Sequence, residues 1–354
     1  MTAIRYCLMD TNLTIPFKGP DKKVMSGYPS VWRKVCFLST MKLRLLFSLV
    51  LYFILSLLLN SCSPPRSVIN SGKVLPKKQV RFGNNYSFNV SSSPISQTIK
   101  GVYSLGQDIS NKDTVYFNEQ INSLNSAILA YALDPIGYNT DLYLRVGLGH
   151  RMDIGYRNSG SAHAFDMMYQ FLGSNETYKN SSIGGMYGSA GLQYSYENFK
   201  FLDSKFDKLT KVLDMKMTRK DFSIPVIFSK SFGPEERSGC FGFGVVYTHS
   251  FINYRIAPKN IYLQNNEGVK ELLAPVNGKA NYGSYGTFVN IKVGRRFIFF
   301  NASLAAYYQN YGTYALLGGG MVKLKGVTIV PAYGLQFNII PRKKKVPPAE
   351  GSVN

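Results

Sequence analysis

Cysteine is almost missing from this chain: 354 residues hold four, at Cys7, Cys36, Cys62 and Cys240, and no CxxC pair. That poverty excludes a disulfide framework and a zinc ribbon. Histidine is as scarce, with His150, His163 and His249 too scattered for metal-ligand spacing, and there is a single tryptophan. No P-loop, GxGxxG, HExxH or GxSxG occurs, so the common nucleotide, metalloprotease and serine-hydrolase signatures are absent and no cofactor is expected. Acid is in short supply too: 20 Asp and Glu against 41 Lys and Arg leave a formal charge of +21. No helix-turn-helix, zinc-finger or RNA-binding signature accompanies that charge. The surplus therefore points to anionic membrane lipid and lipopolysaccharide as partners rather than to nucleic acid.

What the chain has in quantity is tyrosine, phenylalanine and glycine, at 25, 23 and 32 residues. Such a composition favours strands, tight turns and apolar–aqueous boundaries. From about residue 141 the hydrophobic period is two. Leu142, Leu144, Val146 and Leu148 alternate with Arg145, Gly147 and Gly149; Met152, Ile154 and Tyr156 alternate with Asp153, Gly155 and Arg157. Only a tight turn separates the two runs, which predicts a hairpin. The same alternation recurs at 165–171, 186–197, 222–229, 241–251, 284–293, 298–309 and 327–339, with a weaker strand near 313–324.

The expected fold is all-β: an antiparallel membrane β-barrel of about ten strands, within a range of eight to twelve, over 141–340. A water-soluble sandwich shows the same alternation. Strand length, tyrosines near strand ends (Tyr307, Tyr308, Tyr311, Tyr314), and tight links at 149–150, 294–296 and 324–326 alternating with long ones favour the barrel. Arg145, Arg151, Asp153, Arg157, Asp166 and Glu197 then face the lumen as a polar network, where they avoid lipid. Before the barrel, 81–140 reads as irregular with short strands, and Ile121, Leu124, Ile128 and Leu129 recur at helical spacing.

Met41–Cys62 reads MKLRLLFSLVLYFILSLLLNSC: a short basic start, an unbroken apolar stretch, then Asn60-Ser61-Cys62 and Pro64-Pro65. This pattern predicts a signal peptide over 41–61; an uncleaved membrane helix is the alternative. Residues 1–40 are an upstream extension or a long leading region, 62–80 a tether, and 341–354 a basic disordered tail. Leu59-Asn60-Ser61-Cys62 resembles a bacterial lipobox, and that resemblance implies cleavage before Cys62 and lipid attachment there. Residues 1–61 contain eight Lys and Arg and two Asp and Glu, so the chain from Cys62 on keeps 33 against 18, or +15.

The stretches DLYLRVGLGHRMDIGYRNSG and FDMMYQFLG resemble the wall of outer-membrane β-barrel proteins and lipoproteins of Bacteroidetes-type bacteria. The resemblance extends more weakly to FSIPVIFSKSFG and the last strand, and it implies barrel, outer membrane and no catalytic motif. The expected function is a non-enzymatic, lipid-anchored envelope barrel with a structural, narrow-channel or binding role. A lipid-modifying enzyme is the first alternative, because Ser161 precedes His163 and His249 precedes Ser250 at a short reach, although strand alternation points neighbouring residues to opposite faces. A tethered periplasmic barrel carrying an apolar ligand is the second.

Overall fold

The computed structural model describes residues 66–91, 115–116, 119–174, 185–200, 213–259, 261–264, 270–295 and 297–340. The expected upstream extension, signal peptide and basic tail, together with Cys62, lie outside these residues. In chain order the elements are β1 (Val80–Ser91), β2 (Val115–Tyr116), α1 (Glu119–Leu133), β3 (Gly137–Gly149), β4 (Met152–Ser159), β5 (Ala162–Leu172) and β6 (Met186–Lys200). They continue with β7 (Leu213–Ser231), β8 (Gly239–Pro258), β9 (Ile261–Gln264), β10 (Lys270–Leu272), β11 (Val276–Arg295), β12 (Ile298–Ala315) and β13 (Met321–Ile339).

Ten strands form a closed barrel in the order β1-β13-β12-β11-β8-β7-β6-β5-β4-β3. Every neighbouring pair is antiparallel, and the seam between first and last strands runs from Val80 opposite Ile339 to Ser91 opposite Thr328. Closure pairs both sides of every strand, which removes the exposed edges an open sheet would present. The short strands β10, β9 and β2 make a separate three-stranded sheet.

Ten strands were expected, but two details of their membership differ. β1 belongs to the wall, so the barrel starts at Val80 rather than near 141. Conversely, 324–326 is no link: β13 runs unbroken from Met321 to Ile339. The interruption lies earlier, where a register shift between Asn310 and Gly312 near the end of β12 breaks the alternation. Gly312 takes φ 83° there, a value that favours glycine.

The two ends of the barrel are unlike. At one end β3 turns into β4 through His150 and Arg151, whose φ of 51° and 61° match the twist of a two-residue hairpin. β11 and β12 are joined there by residues 296–297. At the other end β7, β8, β11, β12 and β13 continue as a collar, at 18 to 20 residues each, whereas β4 has 8 and β5 has 11. The collar holds α1. Leu124, Ala127, Ile128, Leu129 and Leu133 pack against Leu213, Met215, Met217, Ile252, Tyr254 and Ile256, all buried. The helix ends at Asp134-Pro135, where proline can neither donate to a further turn nor leave its predecessor helical.

Candidate functional site

Along a single strand the wall changes what it shows to each side. In β7 the inward residues begin apolar (Leu213, Met215, Met217) and become mostly polar (Arg219, Asp221, Ser223, Ser229, Ser231), with Pro225 and Ile227 between them. The outward residues do the reverse, from Asp214, Lys216 and Lys220 to Phe222, Ile224, Val226 and Phe228. β8 repeats the change, with Asn253 and Arg255 outward in the collar and Phe241, Phe243, Val245, Tyr247 and Phe251 outward below it. A collar with an apolar inside and polar outside suits water. Below it lies the opposite: an apolar outside and a mainly polar inside, with one buried apolar cluster that includes Met168, Ile227, Val246, Phe288 and Val330.

That lower outer surface is large. Phe165 is 56% exposed, Leu192 52%, Val245 56% and Tyr285 64%, and the outward apolar run of β8 spans Phe241 to Phe251. A tilted strand needs roughly 9–11 residues to cross a bilayer core. Aromatics mark the boundary with the collar: Tyr156 lies opposite Phe165, Phe165 opposite Tyr194, and Tyr194 opposite Phe222. Farther round, Tyr247 pairs with Tyr285 and Tyr285 with Tyr308. One step toward the collar the outward residues turn polar at Asn158, Lys220 and Asn310, and in β8 they do so at Asn253, beyond Phe251. Of the tyrosines expected in this girdle only Tyr308 is there. Tyr307, Tyr311 and Tyr314 point inward and are buried, because alternation sets Tyr307 and Tyr311 on the inner face and the irregularity at Gly312 puts Tyr314 there too.

The lumen is filled by the chain itself. Residues 66–76, expected to form part of a tether, run through the barrel as an amino-terminal arm. Near the collar Arg66 pairs with Asp134, and Ser67 with Asp141. Arg157 donates to the Ser67 carbonyl at 2.7 Å and Tyr307 to the Arg66 carbonyl at 2.6 Å. Midway, Asn290 donates to the Asn70 carbonyl at 2.8 Å, and the Gly72 amide donates to the Ser229 hydroxyl at 3.0 Å. Farther on, the Val74 amide donates to Gln170 at 3.1 Å and the Leu75 amide to Asp153 at 2.8 Å. Lys73 pairs with Glu235. The arm then turns at the exposed Lys77 and Lys78 and enters β1, with the Gly147 amide donating to the Gln79 carbonyl at 2.9 Å. A backbone with no sheet of its own is thus satisfied by side chains of the wall.

Besides the arm's own two pairs, three buried ionic groups hold the wall and its links together. In the wall, Arg145 bridges Asp153 and Asp166 across three strands. Toward the collar, Arg219 donates to Asp221 at 2.8 Å, to Ser250 at 3.2 Å and to the Leu133 carbonyl at the end of α1 at 3.4 Å. At the tight-turn end, the link between β7 and β8 folds inward, and Lys292 reaches Glu236 at 2.5 Å while the Ser229 hydroxyl donates to the same carboxylate at 2.8 Å. Burial alone would raise the Glu236 carboxyl; the ammonium of Lys292, with Arg81 and the Ser229 hydroxyl, outweighs burial and holds it below its ordinary value.

With this geometry in view, comparison with known proteins adds little. No family model matches the chain, and no curated protein matches it. Among solved structures it is similar to the attachment invasion locus protein Ail of Yersinia pestis, at 7% identity over 75% of this chain and all of that one, with a TM-score of 0.28. It is also similar to the outer membrane protease OmpT of Escherichia coli, at 8% identity over 76% of this chain and all of that one, with a TM-score of 0.34. Neisserial surface protein A gives 6% identity over 73% and 95%, with a TM-score of 0.21. Likenesses this slight say nothing of what the chain does.

Of the residues expected in the lumen, Arg145, Asp153 and Asp166 form one ionic group, Arg157 binds the arm, and Glu197 is buried beside Ser161, whose hydroxyl lies 3.5 Å from it. Arg151 does not join them; it lies exposed in the β3–β4 turn, where a left-handed backbone takes it out of the alternation. Cys62 is outside the described residues. The serine–histidine pairs considered for lipid chemistry do not meet: His163 is on the outer face, with Nδ1 2.8 Å from the Tyr156 hydroxyl and 3.2 Å from the Asn158 amide, while Ser161 turns toward Glu197. His249 lies by Tyr247 at 3.3 Å on the outer face, and Ser250 is buried on the inner one. Sequence reasoning missed Arg219, Asp221 and the arm's Arg66 and Lys73, and it left Lys292 out of the network although Lys292 falls on the polar face of its run. Arg219 and Asp221 could have been found by extending the alternation of β7; the arm carries no period to read.

Proposed function

We propose that this protein is a non-enzymatic β-barrel of the bacterial outer membrane, anchored further by lipid on Cys62, and closed by its own arm in the state described. The reading rests on one observation: below the collar the wall is apolar outside and charged inside. In water that arrangement would expose dozens of aromatic and aliphatic side chains and bury carboxylates and guanidinium groups at a cost of several kcal/mol per ion. In a bilayer, the outer face meets acyl chains, every backbone group is paired by closure, and the charges stay off the lipid. Three of the four connections longer than ten residues, 92–136, 201–212 and 259–275, lie at the collar end and one, 173–185, at the other; by the usual asymmetry of such barrels the collar faces outward from the cell and the opposite end faces the periplasm. Lipid and lipopolysaccharide are the partners of the outer face. The role is structural or binding, because the lumen is filled and neither outer-face histidine has a serine beside it.

The test is membrane fractionation with intact-mass measurement. Expected are an outer-membrane protein that needs detergent, shows heat-modifiable gel mobility, and has lost residues 1–61 while gaining acyl mass at Cys62. A processed chain that stays monodisperse in detergent-free buffer overturns the membrane reading, and a mass without acyl groups overturns the anchor alone. For the enzyme alternative, replacing His163 and His249 by alanine leaves phospholipid and lipid A profiles unchanged; an altered profile would reinstate it.

A further inference from the structure

The outer face of the collar carries charge of almost one sign. Six cations point outward from its strands, all exposed: Lys216 and Lys220 on β7, Arg255 on β8, Lys279 on β11, and Lys323 and Lys325 on β13. Among the described residues of those strands a single carboxylate shares that face, Asp214, 3.9 Å from Lys216. Register sets three of the cations together. Lys216 stands directly opposite Arg255, and Arg255 stands opposite Asn277, two residues from Lys279 on the same face. Opposed side chains start about 4.5–5.5 Å apart and diagonal ones about 7–8 Å, and like charges so placed destabilise a sheet unless an anion lies between them. Farther round the barrel the outward residues at this end are neutral: Phe88 and Val90 on β1, Tyr138 and Thr140 on β3, and Asn158 on β4. At the tight-turn end the outward strand cations Lys230 and Arg295 stand apart, on β7 and β11 with β8 between them.

We infer that the collar face of β7, β8 and β11 is a binding site for lipopolysaccharide, with Lys216, Arg255 and Lys279 holding the phosphate of its lipid A. The site continues into the apolar wall. Lys220 marks the boundary, opposite Phe251 at the top of the outward apolar run of β8. Arg255 lies four residues beyond Phe251, roughly 13 Å along a tilted strand, which sets the cations at headgroup height above the acyl chains. Directly below, Phe222, Ile224, Val245 and Tyr285 are exposed and offer the chains of the same molecule an apolar surface. Free phosphate would meet the charges alone, whereas a phosphorylated glycolipid meets both parts. The guanidinium of Arg255 presents a planar fork that matches phosphate, and the two ammonium groups add charge on flexible stems. The collar faces outward from the cell, so the anionic lipid it meets is that of the outer leaflet.

This inference rests on the membrane-barrel reading and its orientation, and the test separates the two. The full-length protein, a triple variant (Lys216→Gln with Arg255→Gln and Lys279→Gln) and a control (Lys230→Gln with Arg295→Gln) are folded into phosphatidylcholine vesicles. Flotation and heat-shifted gel mobility establish insertion. Each protein in neutral detergent is then titrated with fluorescent lipopolysaccharide and with the same material stripped of its lipid A phosphate, and phosphatidylglycerol is added as competitor. The parent is expected to prefer the phosphorylated form by roughly tenfold or more, and the triple variant to lose that factor and no longer distinguish the two forms. The control should bind as the parent does, and added salt should weaken the parent's binding. Failure to float with vesicles would sink the membrane reading. An inserted triple variant that binds as the parent does, or a parent indifferent to phosphate, would sink the site while leaving that reading intact. Phosphatidylglycerol that displaces lipopolysaccharide at equal concentration would assign the face to phospholipid and overturn the inference. If the triple variant does not insert, Arg255→Gln alone decides, with a loss of roughly fivefold expected and no loss refuting the site.

Discussion

Val245 offers the sharpest test of what surrounds the barrel. It is 56% exposed at the centre of the outward run of β8, and its cross-strand neighbours on the same face are Val226 and Thr287. No carboxylate stands beside it. On a protein in water, replacing so exposed a side chain by arginine changes stability by within about 0.5 kcal/mol. Facing a bilayer midplane, the same change costs about 2–4 kcal/mol. The ends of the outward apolar run, Phe241 and Phe251, lie four and six residues away, or roughly 14–20 Å along the strand, so the guanidinium cannot reach the headgroups without thinning the bilayer. That cost converts to about a 30- to 1,000-fold shift in the folding equilibrium. Asn253→Arg, just inside the collar, is the control and should cost about 0–1 kcal/mol. Guanidinium titration of both variants in lipid vesicles, with the folded fraction read by unheated gel mobility, measures the difference. The sole tryptophan is Trp32, in the segment expected to be removed, so fluorescence would serve poorly. A Val245→Arg protein that unfolds at the parent's denaturant concentration would mean that the apolar wall does not face lipid.

Other outcomes follow from the lumen. Arg145→Met strands two buried carboxylates and should cost about 3–5 kcal/mol; adding Asp153→Asn and Asp166→Asn should recover most of it in the same titration, whereas a purely steric role for Arg145 would give no recovery. Gly147→Ala places a methyl group against the Pro76 and Leu75 carbonyls of the arm, and overpacking of this kind costs about 1–3 kcal/mol. The effect should show as faster proteolysis at Lys77 and Lys78, with barrel mobility on gels kept. Because the folded Glu236 carboxyl is held below its ordinary 4.5, its contribution is complete above that value and is lost as pH falls through the folded one. Acid titration of the parent should loosen the tight-turn end below about pH 4.5, an effect that Glu236→Gln removes.

The wall was legible in the sequence where apolar and polar residues alternate cleanly, as from Leu142 to Tyr156 and from Phe241 to Phe251. β1 escaped because Asn84 stands among its outward residues and most of its inward ones are asparagine and serine, so the run resembles a loop. The supposed strand near 313–324 arose from reading across Gly312, where the register slips; the expected total of ten survived because one strand missed and one strand invented cancelled. The inward position of Tyr311 and Tyr314 was hidden for another reason. In the collar the surroundings change sides, and a rule that sends aromatics outward fails once the outside is water. The ionic groups were partly visible, since Arg145, Asp153 and Asp166 fall on inner positions of adjacent runs. Their partners on the arm were not, because an extended segment held by side chains leaves no periodic trace.

A strap that passes through a hoop must be there before the buckle closes. The arm leads directly into β1, and the seam between β1 and β13 joins the first and last of the described barrel strands. Once those two edges meet, a sealed ring with α1 across its mouth gives an eleven-residue peptide no easy way in. Assembly must therefore lay the ring around the arm, with wall side chains capturing its backbone while the hoop is still open. Arg66 is then held at the collar side at the moment of closure, opposite the end where β13 finishes.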